Sequence, residues 1–268
     1  MVPHSRRWSD GGAGRAWAFF GAWLAIALVA PFRPRAWPEM LSAAAALYLA
    51  VDGACDRLRD AVHGGSPVDS GSTFRQGFGT GLATDPNGDP INGTPEQALA
   101  DLAHQTDLVK LGLAGNLAEF SFTTADGTVK KGSEIDYNGA AAGYASSPEE
   151  TINYVDAHDN ETLYDLSVFK LPVGTSMADR VRMNTLELAT ATLGQSPSFW
   201  HAGTELLRSK SLDRNSYNSG DWFNRIDWTG EESTFGSGLP MSADNSAKWS
   251  VMAPLLANPA LKPTAADI

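Results

Sequence analysis

Apolar and polar positions along this chain fall into segments of very different character. A basic lead (Arg6, Arg7, Arg15) precedes an apolar run from Ala16 to Ala30, and an Ala-rich stretch from Leu41 to Val51 follows a Pro/Arg-rich break at Pro31–Arg35. The first run falls short of the ~20 residues a membrane-spanning helix needs and fits the apolar part of a secretory signal. From Gly64 to Pro95 the chain is dense in Gly, Ser, Asp, Asn and Pro, which predicts a long surface loop. Thr94-Pro95-Glu96-Gln97 reads as a helix start with Pro at the first helical position. Apolar Leu99, Leu102, Ala103, Leu108 and Leu111 carry that helix to near Gly112. Leu113 to Phe122 holds a strand or its surroundings, and Asp126-Gly127 is a hairpin turn between Phe120–Thr123 and Thr128–Lys130. Ala140 to Ser147 is a small-residue loop, and Ile152 to Val155 suits a buried strand. A helix follows from Met177 or Asp179 to Leu193, with Val181, Leu188 and Ala191 interleaved with Leu186, Ala189 and Leu193 at helical spacing. Gly194 ends it, and Ser198 to His201 forms another strand. No internal repeat is visible.

Composition narrows the function classes. The 268 residues are 43% hydrophobic, ordinary for a soluble chain able to bury a sizeable core. The net charge of −11 is uneven: residues 1–60 hold seven Lys/Arg and five Asp/Glu, so the remainder carries −13. An acidic body argues against nucleic acid, whose binding rests on Lys and Arg neutralising phosphates. It suits a neutral ligand. Cys55 is the sole cysteine, which excludes an intrachain disulfide and a Cys-rich metal site. His4, His63 and His104 have no metal-ligand spacing.

The candidate chemistry sits where the strand at Ile152 stops. Asn153-Tyr154-Val155-Asp156-Ala157-His158-Asp159-Asn160-Glu161-Thr162-Leu163-Tyr164-Asp165 passes from apolar residues into three polar ones without periodicity. Active sites of β/α barrels are assembled at the carboxyl ends of strands, although Asp and Asn also serve as plain helix caps. Two further blocks accompany it: Asp56-Arg57-Leu58-Arg59-Asp60-Ala61-Val62, and Ser198 to Ser211 continuing through Asp213-Arg214-Asn215-Ser216-Tyr217-Asn218-Ser219-Gly220-Asp221-Trp222-Phe223-Asn224-Arg225.

In this order the three blocks resemble the α-amylase superfamily, and within it the pullulanases, the starch-debranching α-1,6-glucosidases. The resemblance runs from Asp56 to the C-terminus and implies an α/β fold, a partial (β/α)8 TIM barrel of about strands six to eight with long loops. Residues 1–55 are then an unrelated N-terminal segment, either a signal or anchor or, the preferred reading, an off-frame translation. Membrane association stays open between the two, and a secreted or cell-envelope location follows only from the resemblance.

By motif match, Asp159 is the superfamily's third acid, the transition-state stabiliser, and His158 donates to a hydroxyl of the same sugar. Asp221 and Arg225 grip the next sugar, with Asn224, Tyr217 and Trp222 around them; an ion pair between i and i+4 neighbours is the alternative for Asp221 and Arg225. Asn160 and Glu161 orient the loop. His201 is open between core packing and site lining, and Trp228 and Trp249 are expected in the core. The family's nucleophilic Asp (Gly-Phe-Arg-Phe-Asp-like) and general-acid Glu (Gly-Glu-Gly-Trp-like) have no counterpart in the sequence. The expectation is therefore a fragment of a hydrolase of pullulan, amylopectin and limit dextrins, inactive alone; the alternative is a non-catalytic glucan-binding or membrane-tethered remnant. The partner is a branched α-glucan. No cofactor is required by the residues; the resemblance brings calcium, but no ligand loop of recognisable spacing is present.

Overall fold

A computed structural model describes residues 56–65 and 70–268. The expectations for residues 1–55 lie outside the described residues. Helix α1 (Asp56–His63) packs on α2 (Pro95–Leu113). The start of α2 is as the sequence predicts: Thr94 caps the Gln97 amide, and the Gln97 side chain returns to the Thr94 amide, a reciprocal capping box. β1 (Ser121–Thr123) and β2 (Val129–Lys131) form the hairpin about Asp126-Gly127, with Gly127 at φ 82°. β3 (Asp136–Tyr137) and β4 (Ala140–Ala141) form a second, shorter one.

Helix α3 (Leu163–Lys170) follows the polar motif, with Thr162 accepting from the Asp165 amide as its cap. All eight of its residues are buried, and it joins two cores. Leu163 packs with Leu58, Val62, Leu111, Val155 and Leu188, while Tyr164, Val168 and Phe169 pack with Leu207, Leu212, Phe235 and Met252. Helix α4 (Met177–Thr192), capped by Ser176, matches its predicted span. One-turn helices α5 (Asp221–Asn224) and α6 (Ser242–Asn245) precede α7 (Trp249–Leu256).

The expected strands are much shorter than anticipated. Among the described residues Ile152–Val155 pairs with Ser198–His201 only at one parallel bridge, Asn153 to Ser198, and Leu117 bridges Ala145 likewise. No closed barrel forms among the described residues, whose only sheets are the two hairpins. A ladder extends when a strand is hydrogen-bonded along its length, and each of these segments holds its neighbour through little more than one residue.

The Gly64–Pro95 segment departs from its surface-loop prediction. Gln76 and Thr80 are fully buried. The Gln76 amide donates to the carbonyls of Thr80 and Asp85, at 2.5 and 2.9 Å, and its oxygen accepts from the Asn87 amide. Beneath it the buried Lys170 ammonium donates to the carbonyls of Gly64, Ser72 and Arg75, at 2.9, 3.0 and 2.6 Å. Polar residues here satisfy backbone that a buried loop would otherwise leave unpaired.

Gly194 stands just past the end of α4 as expected, but packing is what requires it. It does not take a left-handed cap conformation; a Cβ there would stand 2.5 Å from Asn153 Nδ2, which donates to Gly112 O. Gly194→Ala is therefore expected to lower the unfolding free energy by about 1–3 kcal/mol, the usual cost of overpacking. Urea denaturation measures it, and an unchanged midpoint would show that the Asn153 contact yields freely.

Candidate functional site

The polar motif forms a tight turn between the Asn153 bridge and α3. His158 and Asp159 project from it, their side chains 81% and 78% exposed, with His158 Nδ1 3.0 Å from Asp159 Oδ1. Asn160 sits in the left-handed region at φ 63°, which Asn tolerates better than most residues. Below the turn, Asp156 is buried and its Oδ2 accepts from the Leu163 amide at 3.1 Å and the Thr204 hydroxyl at 2.9 Å. His201 is buried beside it, Nδ1 3.5 Å from Asp156 Oδ2 and Nε2 3.0 Å from Arg208 Nη1. Of the two openings for His201, the structure selects interior packing.

The turn rests on the segment 207–216. Lys210, 2% exposed, donates from Nζ to the carbonyls of His158 and Asn160 at 3.2 and 2.8 Å. Arg214 Nη2 donates to Asn160 Oδ1 at 3.2 Å, and Lys248 Nζ lies 3.2 Å from the buried Glu161. Desolvation pulls the Lys210 ammonium below its ordinary range, opposed by the charge of Asp165. Leu207, Ser211 and Leu212 all take left-handed backbone, at φ 52, 54 and 65°. Such residues persist only when their surroundings over-determine them. Asp165 of α3 supplies that: its carboxylate accepts from Ser209 Oγ at 2.5 Å and from the amides of Lys210 and Leu212 at 2.8 and 3.2 Å. Successive amides converging on one anion form a backbone nest. Burial nevertheless pushes the Asp165 carboxyl up to about 6 against the pull of those bonds.

The second predicted cluster lies further along the same segment. Asn224 is occupied internally: its Nδ2 donates to the carbonyls of Ser216 and Gly220, at 2.6 and 3.1 Å, and its Oδ1 accepts from Ser216 Oγ. It thus orders α5, while its carbonyl accepts from Arg208. Arg225 pairs with Glu232 at 2.6 Å, so the alternative i, i+4 pair with Asp221 does not form through the side chains. Its guanidinium carbon lies 5.7 Å from the Trp222 ring centroid. Asp221, Tyr217 and Trp222 are exposed, and Trp222 and Arg225 line a 360 Å³ cleft with Glu231, Glu232, Ser237 and Lys262. A larger cavity of 530 Å³, between Phe74, Phe169 and Val251, is lined by none of the predicted site residues. Trp228 is 65% exposed, contrary to its expected core role, because it lies in a loop outside both apolar cores. Trp249 packs on the second core as expected.

The segment 210–216 thus joins both clusters, gripping the His158–Asn160 turn at one end and Asn224 at the other. Sequence reasoning missed Lys210, Arg214 and Asp165 as its supports; nothing in their spacing marks the partners they find in the fold. Among the described residues no three His, Cys, Asp or Glu side chains stand together as a metal site.

Comparison with known proteins places this geometry. Residues 230–268 match the family model of pullulanase-type α-1,6-glucosidases, C-terminal. The chain is 48% identical over 200 residues to a pullulanase of Klebsiella aerogenes, covering 74% of this chain and 18% of that protein. Over most of its length the chain is similar to pullulanases. It is 44% identical over 214 residues to the chloroplastic pullulanase 1 of Arabidopsis thaliana, covering 80% of this chain and 22% of that one. The structure of the maltotriose complex of PulA from Klebsiella pneumoniae superposes with a TM-score of 0.73 at 43% identity, over 80% of this chain and 23% of that one. This chain therefore spans about a fifth of the pullulanases it matches.

Proposed function

We propose that this chain carries the sugar-holding part of a pullulanase-type site, serving retaining hydrolysis of α-1,6 linkages in branched α-glucans. The reading is supported most by one observation: an exposed His158–Asp159 pair on a turn pinned from beneath by a buried lysine. An exposed pair on an unpinned turn would move with its backbone. Held in place, a carboxylate and an imidazole can share the hydroxyls of one glucose ring through charge-assisted bonds. Such bonds tighten as the ring flattens toward an oxocarbenium-like state. Trp222, Tyr217 and Arg225 offer stacking faces and a donor fork to a further sugar. The parallel Asn153–Ser198 contact is consistent with two neighbouring barrel strands, the seventh and eighth by resemblance. Export of the chain is likewise a proposal that rests on the family resemblance.

Retaining hydrolysis needs two carboxylates about 5–5.5 Å apart, one attacking and one protonating. The sequence has neither family motif that supplies them, and Asp159 has no attacking role. Taken alone, the 268 residues hold glucan without cutting it, which also accommodates the glucan-binding alternative. Titration calorimetry with maltotriose is expected to show binding that Asp159→Asn weakens about 10–100-fold, the worth of a charge-assisted hydrogen bond, with the melting temperature unchanged. Pullulan incubated with the purified chain is expected to yield no maltotriose. Equal affinity in the variant would remove Asp159 from the site; release of maltotriose would refute the division of labour.

A further inference from the structure

Asp159 has an exposed carboxylate, and among the described residues its side-chain ion pair is with the similarly exposed His158. Its aim is therefore set by the backbone that carries it. The two peptide carbonyls that bracket it, those of His158 and Asn160, both accept from one ammonium, Lys210 Nζ. We infer that Lys210 is a positioning residue for glucan recognition, fixing the Asp159 carboxylate by clamping the carbonyls on either side of it, with Arg214 as a second brace. This rests on the reading of Asp159 given above.

Several observations set Lys210 apart from an incidental buried lysine. Burying an ammonium is costly unless it is well paired, yet this one reaches inward from a loop that itself requires left-handed backbone at Ser211 and Leu212. Lys170 is also buried and donates to three carbonyls, but those belong to the 64–75 segment and to no predicted site residue. Lys210 instead spends its donors on the one turn bearing the exposed acid. Arg214 reaches the same turn through the side-chain oxygen of Asn160, a residue with left-handed backbone. A site tolerates displacements of only about half an ångström from productive geometry, and a turn of this size has few other means of keeping within it.

The test uses the full chain, maltotriose as probe, and amide NMR of residues 158–161. Lys210→Met is expected to weaken maltotriose binding by roughly tenfold and to shift the amides of His158, Asp159 and Asn160 while those of α1 stay in place. Lys210→Arg, which keeps the donors, is expected to recover part of the affinity. A lysine needed for stability alone would lower the melting temperature and leave the affinity of the folded protein unchanged; that result overturns the inference. Should Lys210→Met fail to fold, Arg214→Gln decides, with an expected loss of about threefold and shifts confined to the turn; wild-type affinity and amides there overturn it. Asp159→Asn separates the two levels. If that variant binds as wild type, the site assignment fails; if it binds weakly while the Lys210 and Arg214 variants bind fully, the positioning role alone fails.

Discussion

Asp165→Ala is expected to lower the unfolding free energy by about 4 kcal/mol, a large share of the roughly 5–15 kcal/mol that holds a folded domain together. Its carboxylate is fully buried and gathers three donors from one loop: Ser209 Oγ and the amides of Lys210 and Leu212. Alanine leaves all three without partners in the interior, and each orphaned group costs about 1–3 kcal/mol. Water entering the space offsets part of that, which keeps the sum near the lower end. Asp165→Asn keeps the shape and one acceptor, so about half the loss is expected. Urea denaturation at pH 7 measures both. A loss below about 1 kcal/mol for alanine would show that the left-handed loop holds itself. The same variant bears on function, because this loop presents Lys210 to the His158–Asn160 turn; maltotriose affinity should fall with it even where the protein remains folded.

The native carboxyl of Asp165 titrates at about 6, above its ordinary value of 3.8. Between those two values the native state keeps a proton that the unfolded chain has released. Stability from this group is therefore fully present below pH 4 and lost as pH rises through 6. The carboxylate is stabilised where the chain is folded around it, but less well than water would stabilise it.

What the sequence revealed depends on where each element buries itself. Helices α2 and α4 were readable from apolar residues at helical spacing, and α2 also from its Thr94-Pro95 start, although Leu99 and Leu186 prove exposed and α4 buries Arg180, Asn184 and Glu187. The Asp126-Gly127 hairpin was readable because its turn chemistry is local. Helix α3 was not, because Leu163-Tyr164-Asp165-Leu166-Ser167-Val168-Phe169-Lys170 is buried on every side and so shows no amphipathic period. The 64–95 segment misled through its composition, since Gln76 and Asn87 are polar in order to bond a buried backbone, not to face water. At the candidate site, the His158-Asp159 pair stood out as polar residues ending an apolar run. Its supports did not. Lys210 and Arg214 share one segment, 50 to 54 residues from the turn they brace, and Asp165 acts through the loop that carries them, so no local spacing ties these supports to the turn.

His63→Gln is expected to change the acid stability of the protein by roughly 3 kcal/mol between pH 6.5 and pH 4. His63 is fully buried, with Nε2 2.5 Å from the carbonyl of Val155, and desolvation with the nearby charges of Lys170 and Arg59 lowers its native value to about 3. The unfolded imidazole takes a proton at about 6.5. Between those limits the unfolded chain binds a proton that the native state refuses, so the stability contributed by this group falls as pH falls. Two buried acids act in the opposite sense. Glu187, pushed up to about 8 by burial, and Asp165, at about 6, keep protons in the native state that the unfolded chain gives up above their ordinary values. Each adds stability as pH falls, and together they outweigh the opposing slope of His63 over this window. Removing His63 takes away the opposing slope. Glutamine can still donate to Val155, which limits the cost at pH 7 to about 1 kcal/mol, and the variant should gain on the wild type steadily as the solution is acidified. Unfolding midpoints at pH 4, 5, 6.5 and 7 test this; parallel curves for the two proteins would show that His63 does not control the acid limb, and that the native state admits its proton by opening around Val155.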